Sequence, residues 1–205
     1  MKEVLCSYLS KKAIDDLRNN KQLDENLANA LNSYPLLDYQ RKYIIIEDKD
    51  WLKSLASSSQ SHMAELCINL MHPLREEKDV KELLFDLWKS SSSKYNIKMQ
   101  IMWRILDYED ISEEMHKSIY SFVRSNWEQW INYVVEKFGG KNKVLESCQE
   151  RLQNPAFPKS KAWVYLCIAV GSDNTVEAKN LIENYINSKA PINAIVAKDL
   201  LNIIG

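Results

Sequence analysis

The sequence predicts an all-α protein of stacked antiparallel helical hairpins, and three observations carry the prediction. Apolar residues recur at helical spacing through most of the chain. From about residue 62 onward that spacing breaks roughly every 30 to 36 residues, at Pro73 to Lys78, Tyr108 to Ile111, Gly139-Gly140 and Gly171-Ser172. Strand signals are nearly absent. The one β-branched run, Tyr43-Ile44-Ile45-Ile46, has nothing to pair with and is expected to end a helix or to serve as an extended connector.

The first 60 residues are the least regular. Leu5, Tyr8, Leu9 and Leu17 predict one or two short helices. Leu23, Leu27, Ala30 and Leu31 predict another, stopped by Tyr34-Pro35, and Trp51 to Ala56 one more. The first hairpin then pairs Met63, Leu66, Cys67, Leu70 and Met71, ended by Pro73, with Val80, Leu83, Leu84, Leu87 and Trp88, for which Asp79 is the expected N-cap. The second pairs Ile97, Ile101, Met102 and Ile105 with Met115, Ile119, Phe122 and Val123, capped by Ser112. The third runs from Trp127, Trp130, Val134 and Phe138 through Gly139-Gly140 to Val144, Leu145, Cys148 and Leu152, and Asn154-Pro155 closes it.

A fourth hairpin uses Ala162 to Val170, a Gly171 C-cap, an Asp173 or Asn174 N-cap, then Val176, Leu181, Ile182, Tyr185 and Ile186. Pro191 opens a terminal helix over 191–204. Ser57 to Ser61 and Ser90 to Ser93 are surface connectors too short to separate domains. The expected organisation is one domain over 1–205: irregular helices at 1–60, hairpin repeats at 62–188 and the terminal helix. Its expected core includes Leu83, Leu84, Leu87, Ile119, Phe122, Cys148, Leu166 and Leu181.

Composition narrows the function classes. Formal net charge is -1. Residues 1–60 carry 9 basic and 9 acidic side chains, 61–125 carry 9 and 11, and 126–205 carry 9 and 8, so no basic stretch marks a phosphate-binding surface. Cys6, Cys67, Cys148 and Cys167 are widely spaced, form no Cys-x-x-Cys pair and sit in apolar stripes, the pattern of buried reduced thiols. Ser10-Lys11-Lys12 cuts the first apolar run too short for a secretory signal, and Ala162 to Val170 is about half a membrane span, so the expected location is the cytoplasm with no membrane partner.

Helical hairpins of this period resemble the HEAT-like α-solenoids over residues 62–188. The resemblance implies a curved stack whose concave face is lined by the second helix of each hairpin, and it implies no reaction. An irregular helical bundle is the competing fold.

Four glycines, at 139, 140, 171 and 205, leave no phosphate-cradling loop and no Gly-x-Ser-x-Gly elbow, and no cofactor is expected. Glu113 and His116 share one helical face, but a di-iron site needs a second such pair, so no metal site is assigned. His62 and His72 read as solvated or core-edge histidines. Trp127, Trp130 and Tyr133 read as packing between hairpins. Arg104 is spaced to meet Asp107 at i+3 and Tyr108 at i+4.

Phe85 and Tyr120 lie one position past core residues, about 100° around the helix, at matching places in consecutive second helices. With Lys117, Arg124 and Glu150 they form the expected contact surface. The leading expectation is a non-enzymatic module that binds a protein or peptide, of adaptor or immunity/inhibitor type, with no catalytic residue assigned. The alternative is a nucleic-acid enzyme similar to the alkylpurine DNA glycosylases that use HEAT-like scaffolds, with Trp103, Asp107, Trp127 and Trp130 as its candidate residues.

Overall fold

The computed structural model describes residues 2–19, 23–33, 36–57, 60–90 and 94–205, with backbone alone at 2–4. Among the described residues there are thirteen α-helices and no strand. The class is all-α, and the packing of helix on helix is compatible with a helical repeat. The expected stop at Tyr34-Pro35 and most of both serine clusters lie outside the described residues. The chain divides into two compact units, Met1–Tyr108 and Glu109–Gly205.

The N-terminal unit holds α1 (Lys2–Arg18), α2 (Glu25–Leu31), α3 (Leu36–Arg41), α4 (Lys49–Ala56), α5 (Ser61–Leu70), α6 (Lys78–Lys89) and α7 (Tyr95–Leu106). Its centre is α5, where Met63, Ala64 and all of 66–70 are buried. A helix buried over so much of its circumference has to lie inside others, and α2, α3, α4 and α7 surround it. Asn69, in its last turn, donates its amide to Asn32 Oδ1 and Gln100 Oε1, both at 2.9 Å. The Asn69 carbonyl, left over at a helix end, accepts from Arg41 Nε at 3.1 Å.

Asp48, 1% exposed, ties α1 to the start of α4. It takes both arms of Arg18 at 2.7 and 2.8 Å, the Ile45 N–H at 2.8 Å and the Trp51 indole at 2.9 Å. Burial raises its pKa, but these four donors outweigh burial and hold it below the usual carboxylate range. The segment from Tyr43 is a connector that ends in a 3₁₀ turn, Ile46–Asp48.

The C-terminal unit holds α8 (Glu113–Ser125), α9 (Trp127–Lys137), α10 (Lys141–Gln153), α11 (Ala162–Ala169), α12 (Thr175–Glu183) and α13 (Pro191–Ile204). Here α11 is central: apart from the half-buried Tyr165, every one of its residues is buried, and α9, α10, α12 and α13 pack around it. Cys67 and Cys167 lie in the middle of the two central helices, each fully buried, and Cys148 is equally enclosed in α10. Cys6 is half-buried, and all four thiols are free.

Both units repeat one packing order. In the first, α4 packs on α5, α5 on α7, and α6 on α7; in the second, α10 packs on α11, α11 on α13, and α12 on α13. The helix breaks fall where the sequence places them, yet the pairing is shifted by one helix. α6 packs chiefly on α7 and not on α5, and α10 packs far more on α11 than on α9. Periodicity gives each helix an apolar face without saying which neighbour takes it, and both kinds of connection are short.

Local signals fare unevenly. Ser112 Oγ accepts from Met115 N at 3.2 Å and Asn174 Oδ1 from Glu177 N at 3.1 Å, so both are N-caps, and Pro191 opens α13. Asp79 is no cap; α6 begins at Lys78, and the Asp79 carboxylate meets Lys53 at 2.9 Å and Lys49 at 3.2 Å. In α1 the buried face is Ser10, Ala13, Ile14 and Leu17, leaving Leu5, Tyr8 and Leu9 exposed on the opposite side. Leu84, Ile119, Cys148 and Leu166 are core, whereas Leu83, Leu87, Phe122 and Leu181 are half-buried at its margin. α3 had no expected counterpart.

Candidate functional site

A concave pocket of about 320 Å³ opens in the C-terminal unit where the α10–α11 and α12–α13 connections come side by side. Local chemistry fixes both rims. After α10, Asn154 Oδ1 accepts from Ala156 N at 2.9 Å and Asn154 O from Phe157 N at 3.0 Å, folding Asn154-Pro155 into a turn that presents Phe157. The Phe157 ring is fixed by the edge of Tyr165, centroids 5.1 Å apart, and by the Arg151 guanidinium 5.2 Å from its centroid.

Asn193, 1% exposed in the first turn of α13, joins the two rims. Its amide N donates to Lys159 O at 2.7 Å and Ser188 Oγ at 3.4 Å, and its Oδ1 accepts from Trp163 N at 3.0 Å. One buried side chain therefore holds both connections and the start of α11. Leu152, Pro155 and Ala162 add apolar wall, and Tyr185 faces them. Burial raises the Tyr185 pKa, which keeps its hydroxyl protonated. No carboxylate, imidazole or thiol lines the pocket.

The sequence-predicted contact residues are divided between the units. Phe85 is half-buried, edge-on to Tyr108 with centroids 6.1 Å apart, and the Lys81 ammonium lies 5.7 Å from its ring. Tyr120 was expected in solvent and is 8% exposed. Its hydroxyl donates to Asp199, and its ring meets Trp163 edge-on at 5.7 Å, because α8 turns this face onto α11 and α13. Arg124 is half-exposed; Nε donates to Asp199 Oδ2 at 2.8 Å while the guanidinium lies 5.7 Å from the Trp127 ring centroid. Lys117 and Glu150 are exposed, and Lys117 pairs with Glu113 at 2.7 Å.

Trp130 is fully buried with Trp127 stacked on it at 6.0 Å, the packing role the sequence predicts. His116 is buried too, its Nδ1 accepting from the Trp163 indole at 3.1 Å. Among the described residues no group of three or more His, Cys, Asp or Glu is placed to hold a metal ion.

His72 does have a partner. Its Nδ1 lies 3.0 Å from Asp107 Oδ2, which also takes Arg104 at 3.1 Å. Burial raises the Asp107 pKa, but His72, Arg104 and Arg41 together pull it below the usual range. The cleft beside them, walled by Met71, Leu84 and Tyr108, has no void large enough for a water molecule. The groups there mainly satisfy one another.

Sequence reasoning missed Gln153, Lys159, Tyr185 and Asn193 as a set. They share no motif and span about forty residues; the only local signal is the Asn154-Pro155 turn.

No protein-family model, curated protein sequence or solved structure matches this chain. Among the described residues no helix is long and apolar enough to cross a membrane.

Proposed function

We propose that the protein is a non-enzymatic helical-repeat module, HEAT-like in its stacking of hairpins, that binds a protein or peptide segment at the pocket between the α10–α11 and α12–α13 connections. The observation that carries the reading is a pocket with aromatic and apolar walls and a rim of amides and hydroxyls, its two rims joined by Asn193. An amide both donates and accepts, as a peptide main chain does, so Gln153 and Asn154 suit a peptide ligand. The absence of carboxylate, imidazole and thiol from the lining favours holding over catalysis. A cytoplasmic setting fits the four free thiols. Lys117, Arg124 and Glu150, on the outer surface of the same unit, are the first positions to substitute when mapping a wider footprint.

The test is peptide selection by display on the full chain, followed by titration of the ¹⁵N-labelled protein. Shifts confined to amides of 152–159 and 185–193 support the reading. Shifts elsewhere, or no selectable peptide, count against it. Salt-sensitive retention on DNA-cellulose would favour the nucleic-acid enzyme instead.

A further inference from the structure

The unspent hydrogen-bonding capacity of this pocket is lopsided. Asn154 Oδ1 is already occupied by Ala156 N, leaving its amide N–H₂ without a partner among the described residues. Ser188 Oγ accepts twice, from Ala190 N at 3.3 Å and Asn193 Nδ2 at 3.4 Å, so its hydroxyl proton is free to donate. Tyr185 keeps its proton, and its hydroxyl likewise has no partner among the described residues. Lys159 is exposed, forms no side-chain bond to a described residue, and can only donate. Gln153 contributes one more donor and an acceptor, and the Tyr185 hydroxyl oxygen can also accept. Asn193 is itself fully spent, so it shapes the site and does not touch the ligand.

Five groups with unspent donors, one of them the Lys159 cation, and no anion in the lining call for an acceptor-rich, anionic group. Phe157, Leu152 and Pro155 beside them call for an apolar body. The volume is at the small end of ligand sites, which run from about 300 to 1,000 Å³, and suits one residue more than an extended segment. A peptide's last residue carries a carboxylate and an apolar side chain on one carbon, whereas an internal Asp or Glu brings the charge without the apolar body.

We propose that the pocket recognises the free C-terminal residue of a peptide, its apolar side chain against Phe157 and its α-carboxylate on Lys159 with Ser188, Tyr185 and Asn154 as supporting donors. The proposal rests on the reading of this pocket as the binding site. Binding would then depend on the end of a partner chain and not on its interior.

The experiment titrates the ¹⁵N-labelled full chain with N-acetylated hexapeptides ending in Phe or Leu, each as the free acid and as the amide, and with 3-phenylpropionate. The expected result is that the free acids move the amides of 152–159 and 185–193, and that amidation weakens binding roughly tenfold or more, the scale of a charge-assisted contact. Lys159→Gln should weaken the acids by a similar factor and leave the amides unchanged, while Lys141→Gln, on an exposed residue outside the lining, should do nothing. Thermal melts of both variants establish that they fold. Equal binding of acid and amide would overturn the C-terminus proposal and leave the peptide reading standing. Binding of 3-phenylpropionate with neither peptide would overturn both, in favour of a small free acid.

Discussion

Trp163 donates its indole N–H to His116 Nδ1 at 3.1 Å, and both rings are buried. An indole can only donate, so His116 must keep Nδ1 unprotonated for the bond to exist. The pair ties α8 to the first turn of α11, beside the Tyr120 bond to Asp199 on α13.

Stability of the C-terminal unit should therefore fall on mild acidification. Burial, then the nearby Lys161 ammonium, lower the His116 pKa, against a smaller opposing pull from Glu113. The folded pKa lies below that of the unfolded chain, about 6.5, so the unfolded state takes up the proton first and stability is lost as pH drops below about 6.5. His116→Asn keeps an acceptor at the Nδ1 position without titrating there. Urea midpoints measured between pH 7.5 and 5 should show a step in the parent that the variant lacks; identical profiles would refute the assignment.

Asn193→Ala should cost roughly 2 to 4 kcal/mol, because it strands the Trp163 N–H and the Lys159 carbonyl together. The amides of 157–161 and 185–190 should also lose hydrogen-exchange protection ahead of the rest of the unit. A uniform loss across 109–205 would show that Asn193 supports the core generally and not the pocket rims.

Gly171→Ala tests a close approach. A Cβ there would sit 2.5 Å from Val135 Cγ2 and 3.3 Å from Ile131 Cγ2, so α9 can lie against this turn only because the side chain is absent. α11 closes at Val170, so Gly171 is not the expected C-cap, whereas Gly139 and Gly140 do take the left-handed backbone. The substitution should cost about 1 to 3 kcal/mol. Adding Val135→Ala should recover part of that loss in a double-mutant cycle, and strict additivity would be the contrary result.

Asp48→Asn should destabilise the N-terminal unit by roughly 2 to 4 kcal/mol, since it removes the charge that gathers Arg18, Ile45 and Trp51. The direction with pH is the same as for His116 but the cause differs, since hydrogen-bond donors favour the charged form of Asp48 whereas burial disfavours the charged form of His116. Here the folded pKa is depressed, so the contribution is present above about pH 4 and is lost as pH falls through the folded value. An unchanged acid limb in the variant's denaturation profile would show that Asp48 is not the group responsible.

Helices, caps and breaks were legible in this sequence because each depends on residues within a turn or two of one another. The 3.6-residue period and the signals at Ser112, Asn174, Gly139-Gly140 and Pro191 all lead to the observed elements. Pairing was not legible, because an amphipathic face does not name its neighbour. One overlooked clue was present: Ala162 to Val170 is apolar around its whole circumference, which only a central helix tolerates. Tyr120 misled for a related reason. Its place 100° from Ile119 is a surface position only if α8 buries a narrow stripe, and α8 buries a wide one. The pocket depends on Asn193 reaching Lys159, 34 residues away, a distance no local pattern spans.

The thiols at the two centres also act as separate clocks. Burial pushes the Cys67 and Cys148 thiols up to about 12 and Cys167 well above its ordinary value, so in the closed protein they are both unreachable and un-ionised. Alkylation at any of them can proceed only through a transient opening, and at low reagent excess its rate measures the free energy of that opening. Cys67 times the N-terminal unit, and Cys148 with Cys167 times the C-terminal one. Mass spectrometry that follows the two sets in a single sample would therefore tell whether the halves of this chain breathe together or apart.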